Sequence, residues 1–165
     1  MRARVGTSLN SRWQAVLDVP YVKGTDPTNA FARALAFAKL GDISKAQAAL
    51  AEVPAAPVAF PSRIATEDAM RLTVQAQIAL DQHDDAQALQ LLTKASHDIT
   101  RGGWPAGGVE MPTLYYYSPH MALAELAMKM GDTNVARAAL AAELAASPRS
   151  SASMQALERL GGSSK

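Results

Sequence analysis

The chain has 165 residues, with 16 basic and 15 acidic side chains and no cysteine, which bounds it to one domain or a short repeat array. Disulfide scaffolds, thiolate metal sites and cysteine nucleophiles are excluded, and a formal charge of +1 supplies no electrostatic case for nucleic acid or an anionic membrane. Alanine fills 34 positions and aromatics only 5%, so helix is favoured and any core must be built from small and aliphatic groups.

Met1 to Arg12 carries three arginines and no apolar run of the length a secretory signal needs. No segment approaches the roughly 20 apolar residues of a bilayer span. Trp13-Gln14-Ala15-Val16-Leu17 reads as one half of a helical pair whose mate would precede the chain. Once prolines and glycines are marked, helices are predicted at about 9–18, 28–40, 43–53, 62–82, 85–100, 118–130, 133–146 and 150–160. No segment alternates with period two in β-branched residues, so the predicted class is all-α. Ser118 ahead of Pro119 is expected to cap a helix with proline at its first position. Ser62 after Pro61, and Ser150 or Ser151 after Pro148, are expected to start helices in the same way. The tail from Gly161 to Lys165 is expected to fray.

Internal similarity carries the most information. Three segments align without gaps across a helix, a tight turn and a second helix: Asn29 to Asp42 running into Lys45-Ala46-Gln47-Ala48-Ala49-Leu50, Arg71 to Asp84 running into Gln87-Ala88-Leu89-Gln90-Leu91-Leu92, and Pro119 to Asp132 running into Val135-Ala136-Arg137-Ala138-Ala139-Leu140. Gly41, His83 and Gly131 fall at the turn, each followed by aspartate. A left-handed backbone suits that position, and glycine adopts it more cheaply than histidine. The aspartate can cap the second helix. Ala34 with Ala46, Ala76 with Ala88 and Ala124 with Ala136 mark close helix crossings, where a larger side chain would push the axes apart. Leu50, Leu92 and Leu140 then pack under the next hairpin.

The pattern resembles the tetratricopeptide repeat family, which places small residues at repeat positions eight and twenty, a glycine-aspartate turn between them, and proline at thirty-two, as Pro148 here. The turn residues lie 42 (41 to 83) and 48 (83 to 131) positions apart, against a repeat of about 34, so insertions of 8 and 14 residues separate the hairpins. Met111-Pro112-Thr113-Leu114-Tyr115-Tyr116-Tyr117-Ser118-Pro119 and the Arg12-Trp13 helix look like features of the C-terminal part of long bacterial members. The resemblance covers about residues 10–160 and implies a single domain of antiparallel hairpins, at about 28–53, 62–100 and 118–146. These would stack as a right-handed superhelix, with a leading helix and a polar capping helix.

By that resemblance the first helix of each hairpin lines a concave groove, at Phe31, Leu35 and Lys39, at Thr73, Gln77 and Asp81, and at Met121, Glu125 and Lys129. Apolar, amide and charged groups together suit a protein or peptide partner; the alternative is that they face solvent or a segment of the same chain. The carboxylate-binding clamp of chaperone-type members needs lysine and asparagine where this chain has Phe31 and Leu35. Trp104, Tyr115, Tyr116 and Tyr117, beside the glycines of Arg101 to Gly108, form either an adaptable contact surface or an internal anchor for a long loop. A small-ligand or metal pocket under that loop is the second functional reading.

No chemistry-bearing motif stands out. The glycine pairs are followed by Val109 and Glu110, not by the lysine and hydroxyl of a phosphate loop. His83, His97 and His120 lack metal-ligand spacing; His83 among Asp81, Asp84 and Asp85 reads as a solvated turn, and Met121, Met128 and Met130 near His120 as core filler. No nucleophile elbow, zincin or dinucleotide fingerprint occurs, and Glu67, Asp68 and Glu125 could pair only through tertiary structure. The expectation is a non-catalytic chain without metal or cofactor that binds a protein or peptide. It touches neither nucleic acid nor the membrane interior; compartment and oligomeric state are left open.

Overall fold

A computed structural model describes residues 4–22, 27–53, 61–101 and 118–162. The described residues form α1 (Arg4–Asp18), α2 (Pro27–Lys39), α3 (Ile43–Ala51), α4 (Pro61–Asp81), α5 (Asp85–Arg101), α6 (Pro119–Met130), α7 (Thr133–Ala146) and α8 (Ser151–Gly162). Among them the fold is all-α. Each helix packs on its neighbours in sequence, and the hairpins are linked by α2 on α4, α3 on α4 and α5 on α6. No described helix is long and apolar enough to cross a membrane.

The three hairpin turns share one local chemistry. Gly41 and Gly131 have φ of 80°, and His83 has φ of 61°. The next N–H reaches back to a carbonyl one turn inside the helix, Asp42 to Phe37, Asp84 to Ala79 and Asp132 to Ala127, each at 2.9 Å, which satisfies an otherwise orphaned acceptor. Each aspartate then accepts from the third residue on: Lys45 N–H to Asp42 at 3.2 Å, Gln87 to Asp84 at 2.9 Å and Val135 to Asp132 at 3.0 Å.

The small residues between the paired helices are sealed from water. Ala34, Ala46, Ala76, Ala88, Ala124 and Ala136 are all 0% exposed. Two hydrophobic cores result. The first joins Phe31, Leu35, Leu50, Met70, Val74 and Ile99, with Trp13 of α1 packed against it; the second joins Ala76, Ala88, Leu92, Leu123, Leu140 and Ala156. α4 and α5 contribute to both cores, so the central hairpin couples the two ends. α8 lies on α7, where Ala156, Leu157 and Leu160 cover the second core.

Several local expectations need correction. Helix α1 starts at Arg4, ahead of residue 9, because a glycine such as Gly6 costs roughly 1 kcal/mol relative to alanine without ending a helix. Ser62 does not begin a helix; Pro61 is already inside α4, where its missing N–H costs no hydrogen bond. Ser118 occupies the cap position of α6, but its hydroxyl makes no cap bond and donates to Glu143 instead. Ser150 does cap α8, accepting from the Ser153 N–H at 3.4 Å. The helix then runs through Gly161 to Gly162, so the expected fray does not begin at Gly161. The eight-residue insertion is taken up in the length of α4, close to the predicted helix at about 62–82. α4 begins ten residues ahead of Arg71, whereas α2 begins two ahead of the aligned Asn29, about two extra turns. Trp104 and Tyr115 to Tyr117, in the second insertion, lie outside the described residues.

Candidate functional site

The nine groove positions recur at four-residue spacing on α2, α4 and α6, so each trio shares a helix face. The structure does not leave that face open along its length. Phe31, Leu35, Thr73 and Gln77 are buried, which corrects the expectation that they line an accessible groove. Phe31 and Leu35 belong to the first core, and the Arg71 guanidinium lies 5.8 Å from the Phe31 ring centre while donating to the Leu50 carbonyl at 3.3 Å. The Thr73 hydroxyl turns back to donate to the Ala69 carbonyl at 2.7 Å. Lys39, Asp81 and Met121 are half-buried, and Glu125 and Lys129 are exposed. Solvent therefore reaches the face mainly near the C-terminal ends of α2 and α4 and along α6.

Three of those ends converge electrostatically. Burial lowers the Lys39 pKa from 10.5 to about 8, and the opposing pull comes from Glu125 and then Asp81. One amine on α2 thus feels a carboxylate from each of the next two first helices. Beneath them Gln77 Nε2 donates to Asp81 Oδ1 at 3.1 Å. Gln77 Oε1 and Asp81 Oδ2 are buried and have no hydrogen-bond partner, an arrangement that costs about 1–3 kcal/mol per group unless a donor reaches it. Lys129 stands apart, its ammonium 2.7 Å from Asp85 at the start of α5. Met121 Sδ accepts from the Ser153 hydroxyl at 3.0 Å, so this methionine ties α6 to α8.

Two further features have no counterpart in the sequence expectations. Ser96 Oγ lies 2.6 Å from His120 Nδ1, and Ser118 donates to Glu143, with His120 3% and Glu143 8% exposed. These residues tie α5, α6 and α7 into a latch. Burial pushes the His120 pKa down, against a smaller upward pull from Glu143. The residue pairs are 24 and 25 positions apart, so no spacing rule finds them. On the other side of α4, by helical spacing, a hollow of about 510 Å³ is rimmed by Gln47, Gln75, Gln82, Gln87 and Arg71 over Leu50, Ile78 and Leu91. Among the described residues no three of histidine, aspartate and glutamate gather as metal ligands would, and His83 is an exposed turn residue.

With this geometry in hand, comparison with family models, curated proteins and solved structures finds no match to the chain.

Proposed function

We propose that the chain is a non-catalytic scaffold of the tetratricopeptide type. Its hairpins stack in a right-handed superhelix that holds a protein or peptide partner along the face formed by α2, α4 and α6. The observation that carries this reading is the shared field at Lys39: a groove position on one first helix is electrostatically coupled to Asp81 and Glu125, groove positions on the next two. Three successive hairpins thereby present polar groups to one place, as an elongated ligand requires. The recurrent turns and the fully buried alanines support the same stacking. Because Phe31 and Leu35 are core residues, the partner would engage the solvent-reaching end of the face, at Asp81, Met121 and Glu125.

A photo-crosslinking amino acid tests this at Glu125, with Lys94 on the exposed side of α5 as the control position. Repeated capture of one defined protein from position 125 and none from 94 is the expected result. Capture from 94 alone would move the partner to the second helices.

A further inference from the structure

The end of the face has a charge pattern that says more about its occupant, on the footing of the groove reading above. Gln77 is 92% buried, being 8% exposed, yet its Oε1 has no donor, and neither does Asp81 Oδ2 beside it. The Lys39 ammonium, although coupled to Asp81, supplies neither bond. Both orphaned atoms are acceptors, and Glu125 adds an exposed carboxylate from α6. Two carboxylates against one lysine leave the cluster a net negative charge at neutral pH. Acceptors at different depths, with excess negative charge and no donor of their own, call for a cation carrying several N–H groups.

We propose that this cluster is the anchor site for an arginine side chain of an extended partner peptide, its planar guanidinium donating to Gln77 Oε1 and the Asp81 carboxylate, with the exposed Glu125 of α6 as a further carboxylate. Guanidinium suits the place better than ammonium because it is weakly hydrated and presents donors in a fixed fork. Both oxygens are closed to solvent, so entry requires the side chains over them to move. The Lys39 amine competes as the resident cation, so it weakens binding rather than assisting it.

The test is a nuclear magnetic resonance titration of the isotope-labelled full chain with the peptide acetyl-Ala-Ala-Arg-Ala-Ala-amide and its citrulline counterpart, which keeps the shape and removes the charge. The arginine peptide should shift the Gln77 side-chain amide signals saturably, with affinity about tenfold above the citrulline peptide. Asp81→Asn and Glu125→Gln should each weaken it severalfold, and Lys39→Met should tighten it. Glu125 is exposed, so its variant keeps the test valid even where Asp81→Asn alters folding. Unmoved Gln77 signals, equal response to the two peptides, or indifference to Glu125→Gln would each overturn the proposal. Shifts at the Met121 methyl with a leucine-bearing peptide, while Gln77 ignores arginine, would also end it yet leave the groove reading standing.

Discussion

The latch between α5, α6 and α7 and the charged cluster shared by α2, α4 and α6 use the same kinds of side chain in opposite ways. In the latch, Ser96 meets His120 and Ser118 meets Glu143, so groups far apart in sequence are paired inside the protein. In the cluster, Gln77 and Asp81 share one bond and leave two buried oxygens without a donor, while burial disfavours the charge on Lys39. A satisfied buried network fixes an arrangement of helices; an incomplete one holds unspent interaction capacity. The difference separates a device for holding helices together from the place where a partner is proposed to bind.

Perturbing both regions at once should give the largest effect. Ala88→Leu inserts bulk at a 0% exposed site in the hairpin that carries Gln77, Asp81 and Ser96, and should cost about 1–3 kcal/mol by overpacking, read by chemical denaturation. Ser118→Ala touches the latch alone. Leaving the buried Glu143 without that donor should cost about 1–2 kcal/mol. Lys39→Met should act in the other direction, raising stability at pH 7 by about 1 kcal/mol after allowance for partial exposure. Loss of stability in both single variants would erase the contrast.

Acid and base should separate the regions further. His120 has a folded pKa below its ordinary 6.5, so the unfolded chain takes up protons first as pH falls. Stability is then complete above 6.5 and declines below it, a slope that His120→Gln should flatten. Lys39 gives up its proton near pH 8 in the folded chain and near 10.5 when unfolded. Stability should therefore rise between those values, and not in Lys39→Met; pH-dependent melting reads both. The smallest change should be His83→Gly, which relieves a non-glycine residue at φ 61° and gains about 0.5 kcal/mol at the turn joining α4 to α5.

Legibility followed the range of each interaction. The turns at Gly41, His83 and Gly131 could be read because the left-handed residue and its capping aspartate are adjacent, and the observed bonds span three to five residues. The alanines could be read because close helix crossing admits nothing larger. Groove positions were legible as faces but not in depth: four-residue spacing puts Phe31 with Lys39, yet Phe31 is core and Lys39 is only half-buried. The Ser118 position was legible as a helix start, while its hydroxyl went to Glu143, a partner outside local reach.

From its own order of residues the chain determined that it is helical, where its helices turn, and which small side chains the helices share, because backbone geometry and capping are decided within a few neighbours. Tertiary packing alone decided that Ser96 would find His120, that Lys39 would feel both Asp81 and Glu125, and that four of the nine groove positions would be buried. Those outcomes depend on how neighbouring helices are offset and on how much water their contact removes, which are properties of the assembled layers and of no single segment.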